Sequence, residues 1–317
     1  MIIEANGLVK KYGDFTAVKG LDLCVDNEIY GLLGPNGSGK TTTVNMLTTM
    51  LTITEGTASV CGYDVVKDAQ KVRESISYVP QDMAVDIRLT GRENVNLFAK
   101  LYGIRDRAER KRRVEDALEV MNLADRADER TKKYSGGMRR RLELAQALVH
   151  DPKVLFLDEP TVGLDVASRR SIWEYIVKLR DSGVTIFVTT HQMDEAERYC
   201  DRVGILKKGK LTAEGRPYDL TAGMDSIITV RTEGGFPSKV PDGVIEVEFK
   251  DGLATFTSSD GASALPDLMG CYAKDGIKVF SSSVREPTLE DVYMLSVGTV
   301  EEGSFDDSQF RNMMRRR

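Results

Sequence analysis

Histidine is scarce in this chain. Its 317 residues include only His150 and His191, so a site that needs an imidazole has little to choose from. Cysteine is nearly as sparse. Cys24, Cys61, Cys200 and Cys271 lie far apart with no C-x-x-C pair, which argues for reduced structural thiols of a cytosolic protein and against a metal site. No apolar run approaches the ~20 residues that cross a bilayer, and Met1-Ile2-Ile3-Glu4 reads as carrying no signal peptide. If the protein works at a membrane, another chain is expected to supply the membrane part. A basic excess is missing too: 44 lysines and arginines face 49 aspartates and glutamates, a net charge of -5. That balance argues against a dedicated nucleic-acid binder. What remains is an ordinary globular composition, 41% hydrophobic and 29% charged. The length fits one large domain and a small one.

The most informative stretch is Gly34-Pro35-Asn36-Gly37-Ser38-Gly39-Lys40-Thr41-Thr42, which fits G-x-x-x-x-G-K-[ST]. Ile29 to Leu33 before it reads as a short buried strand, and the residues from Thr42 onward open a helix. Strand, glycine loop and helix are the context this phosphate-binding motif requires. The glycines allow a tight turn with N–H groups facing an anion, and the helix N-terminus adds a partial positive charge. Lys40 is a point charge for β/γ-phosphates, and the Thr41 hydroxyl suits Mg²⁺. Alone, the loop indicates a nucleoside triphosphate and nothing about what its energy drives.

Other stretches sharpen this. Residues 1–30 read as two strands with a turn at Tyr12-Gly13-Asp14; Tyr12 is either an ordinary strand aromatic or a stacking surface for a purine. Residues 53–80 read as strand, turn, short helix and strand, ending at Gln81, which is either a loop residue or an amide that reaches Mg²⁺ and an attacking water. Thr90-Gly91-Arg92-Glu93 is a capping box ahead of a helix with Val95, Phe98, Ala99, Leu101 and Tyr102 as its apolar face. The charge run Arg105–Arg113 is either a contact for phosphate or lipid headgroups or, the favoured reading, a solvated helix start with i,i+4 pairs; that helix is expected to continue to Leu123. Ser135-Gly136-Gly137 precedes a helix over Arg139–Leu148 and forms a second anion-receptive N-terminus. Two phosphate-seeking loops in one chain are easily explained if the second serves a nucleotide bound to another copy. Val154 to Leu157 runs into Asp158-Glu159, as a buried parallel strand with acids at its ligand-binding end would. Asp158 suits Mg²⁺; Glu159, pointing the other way, can polarise a water for in-line attack. Gly163-Leu164-Asp165 leads into a helix, and strand Thr185–Thr190 ends at His191, which is either structural or a hydrogen-bond donor to a γ-phosphate.

In the order Gly34–Thr42, Gln81, Ser135-Gly136-Gly137, Leu157-Asp158-Glu159, Gly163-Leu164-Asp165 and His191, these six elements resemble those of an ATP-binding subunit of an ABC transporter, over roughly residues 2–220. The resemblance implies an α/β fold: a P-loop NTPase of the ABC type with an antiparallel β subdomain and a helical subdomain over about 82–150. It implies that Tyr12 stacks on adenine, that Asn36, Gly37, Ser38, Gly39, Lys40, Thr41 and Thr42 hold phosphates, and that Thr41, Gln81 and Asp158 hold Mg²⁺. Glu159 would be the general base and His191 the γ-phosphate sensor. Ser135, Gly136 and Gly137 would contact ATP held by a partner subunit, with Asp165 helping to join the halves. ATP and Mg²⁺ are thus the expected cofactors, and a second copy or a similar ATPase the expected partner. One departure is Met138, where the signature usually has glutamine. Tyr134 to Glu143 and Glu286-Pro287-Thr288-Leu289-Glu290-Asp291-Val292-Tyr293 resemble the daunorubicin-resistance branch of exporters, whose ATPases serve separately encoded membrane proteins.

The ATP-binding domain is therefore expected over 1–220, a small α+β domain over 221–300 and a flexible tail over 301–317 ending in three arginines. The expected role is an ATPase at the cytoplasmic face of the membrane, powering export through a separate permease, with no nucleic-acid partner. The surface near Gln81 and the helix Glu93–Tyr102 is the candidate for docking that permease. The rival is an ABC-type ATPase that remodels ribosomes or nucleic acid. Such factors usually carry two motif sets or a long coiled coil, and this chain has one set and no heptad run.

Overall fold

A computed structural model describes residues 1–82 and 84–297; the tail expected over 301–317 lies outside them. The chain divides into two compact units, residues 1–217 and residues from 218 onward.

The first unit begins with β1 (Ile3–Tyr12), β2 (Phe15–Val25), β3 (Ile29–Leu33) and α1 (Lys40–Leu47). Next come β4 (Glu55–Val60), β5 (Tyr63–Asp64), α2 (Ala69–Ser75) and β6 (Ile76–Val79). A helical stretch follows, with α3 (Gly91–Leu101), α4 (Arg107–Val120) and α5 (Gly136–Leu148) packed on one another. The unit then continues through β7 (Val154–Asp158), α6 (Val166–Asp181), β8 (Thr185–Thr190), α7 (Met193–Tyr199), β9 (Arg202–Lys207) and β10 (Lys210–Gly215).

Two sheets result. One, ordered β2-β1-β4-β5, is antiparallel, and the other is ordered β10-β9-β3-β8-β7-β6. In the second, β9, β3, β8, β7 and β6 are mutually parallel and only the edge strand β10 is antiparallel. β3, β7 and β8 are buried at every residue, as strands covered on both faces must be. One apolar core links Ile3, Leu8 and Leu21 of the antiparallel sheet, Val44 and Leu47 of α1, and Tyr30, Phe156 and Phe187 of the parallel sheet.

Local chemistry explains several boundaries. Thr90 caps α3 through a capping box with Glu93, and Asp106 caps α4 by accepting from the Glu109 N–H at 2.7 Å. α4 stops at Val120, short of the expected Leu123, because Asn122 turns left-handed with φ 51°. Arg112 and Arg113 of this helix pair with Glu109 and Asp116 at helical spacing, in line with the solvated reading of that part of the charge run. α5 starts at Gly136, three residues before expected, because the Ser135 hydroxyl accepts from the Met138 N–H at 3.2 Å and caps it there. The expected apolar face of α3 is only partly core: Val95 and Ala99 are buried, while Leu101 and Tyr102 are 72% and 36% exposed; Leu97, off that face, is 41% exposed. The Lys208-Gly209 loop between β9 and β10 has positive φ at both positions, the type I′ geometry that suits the strand twist.

α8 (Pro217–Thr221) spans the boundary between the units. The second unit holds β11 (Ser226–Thr232), β12 (Val244–Lys250), β13 (Leu253–Ser258), α9 (Gly261–Lys274), β14 (Val279–Arg285) and α10 (Leu289–Val297). Its antiparallel sheet runs β12-β13-β11-β14, with Leu268 and Tyr272 of α9 packed on Ile228, Val230 and Phe256. At the start of α10 the Asp291 carboxylate accepts from the Thr288 N–H and hydroxyl.

His150 joins two helices of the first unit. Its ring stacks on Tyr102 at 3.7 Å between centroids, its Nε2 lies 3.1 Å from the Ile76 carbonyl, and its Nδ1 is buried without a partner. Burial pushes the imidazole below its ordinary value. The unfolded chain therefore takes up the proton first, and stability is lost as pH falls below about 6.5. His150→Phe keeps the ring stack and removes that proton, so its thermal midpoint is expected to drop less than the parent's between about pH 7.5 and 5.5. Equal drops would show that His150 contributes nothing to acid sensitivity.

Candidate active site

Parallel register lines up four strand ends. Leu33 of β3 pairs with Thr190 of β8, Asp158 of β7 with Thr189, and Val79 of β6 with Leu157. The segments that leave these ends are the glycine loop, His191, Glu159 and Gln81. They emerge at the carboxyl edge of an α/β sheet, where ligands bind.

The glycine loop is held from behind. The Gly209 N–H donates to the Ser38 carbonyl at 2.9 Å, and Gly39 lies against β2. A Cβ at Gly39 would meet the Ala17 carbonyl at 2.8 Å, and its φ of 109° is one few other residues adopt. α1 opens with no side-chain cap, so its first N–H groups have no partner of their own. The Ser38 hydroxyl is buried with no hydrogen-bond partner. Lys40 is 6% exposed and donates to the Gly34 and Pro35 carbonyls at 2.7 and 3.2 Å. Burial lowers its pKa, against the pull of Glu159 and Asp158. Unpartnered N–H groups, an orphan hydroxyl and a buried ammonium hydrogen-bonded only to carbonyls fit the phosphates of a nucleotide.

Asp158 and Glu159 face different surroundings. The Asp158 carboxylate accepts from the Thr41 hydroxyl at 3.0 Å and from the Thr189 hydroxyl, with the Tyr78 phenol 3.5 Å away. Burial and Asp158 push the Tyr78 phenol up to about 12. A hydroxyl and a carboxylate converging from two elements are the hard oxygen ligands that Mg²⁺ takes. Glu159 sits on a left-handed backbone, φ 49°, which costs a non-glycine residue about 1 kcal/mol. Its Oε1 is 3.9 Å from Lys40 Nζ and its Oε2 is 2.8 Å from His191 Nδ1. The histidine contact is close but lies off the line of a hydrogen bond, leaving Oε2 buried without a donor. His191 itself is half exposed.

The other expected residues are less tightly gathered. Tyr12 ends β1 at 48% exposure, with Lys10 Nζ 5.3 Å from its ring centre. Asn36 and Gly37 are exposed at the loop tip, and Thr42 is half-buried in the first turn of α1. Gln81 is exposed, and among the described residues no hydrogen bond joins it to Asp158 or Thr41. Ser135 and Gly136 are exposed at the start of α5, while Gly137 is buried against Ser168. Asp165 caps α6, accepting from the Ser168 N–H at 2.9 Å and its hydroxyl at 2.7 Å.

Sequence reasoning missed three residues: Thr189, Tyr78 and Arg140. Strand alternation next to His191 would have pointed to Thr189, and Tyr78 precedes Gln81 by three positions. Arg140 is 3% exposed, and nothing local flags it.

Fold and site together define a phosphate-loop nucleoside triphosphatase. The chain belongs to the ABC transporter ATP-binding family. The ABC transporter family model matches residues 18–162. The daunorubicin resistance ATP-binding protein DrrA3 of Streptomyces coeruleorubidus is 38% identical over 303 residues, 93% of this chain and 96% of that protein. A Nod factor export ATP-binding protein I of Burkholderia orbicola is 42% identical over 306 residues, covering 93% and 97%. Among solved structures, cbiO1 of Clostridium perfringens, part of the cbiONQ transporter complex, matches at TM-score 0.65 and 30% identity, covering 70% of this chain and 90% of that one. A dimeric post-hydrolysis state of the cassette MJ0796 bound to ADP and Pi matches at 0.61 and 28%, covering 68% and 98%. The protein is accordingly an ATP-binding ATPase of the exporter type. Among the described residues no helix is long and apolar enough to cross a membrane.

Thr189→Val keeps the shape of the strand residue but removes the donor to the buried Asp158 carboxylate. An unfolding cost of about 1–3 kcal/mol is expected, read from the urea midpoint. An unchanged midpoint would mean that the hydroxyl is not what satisfies Asp158.

Proposed function

We propose that this chain hydrolyses ATP to drive export through a separate membrane-spanning permease, and that Glu159 is its general base. The observation that carries the reading is the Glu159 carboxylate, buried and short of a donor, between Lys40 of the phosphate loop and His191. A water beside it can give up a proton to Glu159 as its oxygen bonds to the γ-phosphorus and the bond to the β-phosphate oxygen breaks. Lys40, Ser38 and the N–H groups of the loop and α1 bind the phosphates. Thr41, Asp158 and Gln81 would hold Mg²⁺, which when bound spreads the charge of the phosphates. His191 orients the far side of the base and faces the γ-phosphate. Tyr12 presents its open ring to adenine.

Ser135, Gly136 and Gly137 serve ATP held by a second copy or a similar ATPase, with Asp165 at the junction of the halves. The Ser135 hydroxyl accepts from its own helix, which leaves its proton free to donate to a phosphate oxygen. Relatives named for drug resistance and Nod factor export support a permease partner and a place at the cytoplasmic face of the membrane. The exposed Leu97 and Leu101 on α3 are the apolar side chains offered to that permease.

Glu159→Gln is expected to lower steady-state ATPase turnover by about 10²–10⁴ and to leave an ATP-bound dimer on size-exclusion chromatography. Turnover at the parent rate would remove Glu159 from the role. Affinity purification from the native cells in mild detergent is expected to bring down a multi-span membrane protein in near-equal amount, and Leu101→Glu to lose it while keeping ATP binding. Ribosomal proteins or nucleic acid in its place would replace export with remodelling.

A further inference from the structure

Arg140 and Glu143 stand one helical turn apart on α5 and are 3% and 2% exposed, with Arg140 Nη1 2.9 Å from Glu143 Oε2. A guanidinium has five N–H donors in a rigid fork, and here each has an acceptor. Nε donates to the Pro160 carbonyl at 2.9 Å; Nη1 donates to the Pro80 carbonyl at 2.8 Å and to Glu143; Nη2 donates to the Asp158 and Glu159 carbonyls at 3.2 and 3.4 Å. The other oxygen of Glu143 accepts from the Ala84 N–H at 2.5 Å. The pair therefore grips both sides of Gln81, at Pro80 and at Ala84. It also grips the backbone on either side of Glu159 and at Glu159 itself, the residue held in a left-handed conformation. Such a backbone persists only where its surroundings over-determine it.

We propose that Arg140, braced by Glu143, is the positioning residue that fixes the Glu159 turn and the Gln81 loop to α5. A displacement of the Ser135–Gly137 helix start then reaches the base through one guanidinium. The proposal rests on the reading of Glu159 as general base. Arg140 touches no substrate; it acts through the placement of Glu159. Lysine can supply the charge for Glu143 but only three donors from a single point, so it cannot span carbonyls on two strand ends.

The test uses the full chain and three readouts: thermal midpoint, affinity for a fluorescent ATP analogue, and the single-turnover hydrolysis rate. Arg140→Gln is expected to bind the analogue within about threefold of the parent, because the phosphate loop does not touch Arg140, and to hydrolyse about 10²-fold more slowly. Arg140→Lys is expected to fall between the two, and Glu143→Gln to slow hydrolysis without changing affinity. The double variant Arg140→Gln/Glu159→Gln is expected to be no slower than Glu159→Gln alone, since two residues acting as a unit are not additive.

A parent-like rate in Arg140→Gln overturns the proposal, as does a double variant slowed by the full product of the single factors. Equal losses of affinity and rate would show a merely structural role and also overturn it. If Arg140→Gln does not fold, Glu143→Gln carries the same criteria. A parent-like rate in Glu159→Gln sinks the base reading itself. An inactive Glu159→Gln beside an unimpaired Arg140→Gln sinks only the positioning.

Discussion

Parallel hydrogen bonding from β3 to β8, β8 to β7 and β7 to β6 brings four strand ends to one edge, and the site exists only because that register holds. A strand shifted by one residue would turn its side chains to the opposite face. In β7 such a slip would move the Asp158 carboxylate away from the Thr41 and Thr189 hydroxyls that receive it. The register is secured by burial on both faces. Tyr30, Phe156 and Phe187 pack ring against ring across neighbouring strands within the same core, and sliding any of them would leave a void in a close-packed interior. Chemistry at the sheet edge is thus stabilised by apolar packing several residues away.

The edge itself is electrostatically costly. Lys40, Asp158 and Glu159 are all nearly inaccessible to water, and each alone would be an expensive buried charge. Together they are one cation and two anions, with carbonyls, hydroxyls and His191 filling the remaining contacts. The burial that lowers the Lys40 pKa also strengthens its attraction for an anionic ligand. Tyr78 carries the matching signal on the other side, its phenol driven upward by burial and by Asp158. In the structure the Lys40 ammonium is held by the Gly34 and Pro35 carbonyls of its own loop.

What could be read from the sequence was whatever is written locally. The phosphate loop, the acids ending β7 and the Thr90–Glu93 box each lie within ten consecutive residues, and turn and cap chemistry acts over that distance. The family was identified from the order of the phosphate loop, Gln81, Ser135-Gly136-Gly137, the β7 acids, Gly163-Leu164-Asp165 and His191. Burial was harder to read. Leu101 fits the apolar period of α3 but is exposed, because periodicity marks a face without saying what covers it. Ser135 and its two glycines were read as preceding a helix from Arg139, although the serine caps α5 from Gly136 onward. Arg140 was illegible for a different reason. Its carbonyl acceptors lie 18 to 60 positions away in sequence, and a basic residue in a run of three gives no local sign that one member is buried.

The Arg140–Glu143 pair also shows why a buried ion pair need not be explained by stability. Replacing such a pair with well-packed apolar side chains is often neutral or stabilising. Apolar side chains, however, could not serve the backbone here. The carbonyls of Pro80, Asp158, Glu159 and Pro160 lie at or beyond the strand ends, where the parallel ladder no longer provides donors, and an unpaired buried carbonyl is costly. A single planar cation on α5 supplies donors to all four, and its charge is balanced by one carboxylate a turn away. The arrangement follows from a backbone that must leave the sheet, turn left-handed at Glu159 and still be satisfied. The same requirement ties α5, capped by Ser135, to the strand end that holds the acids.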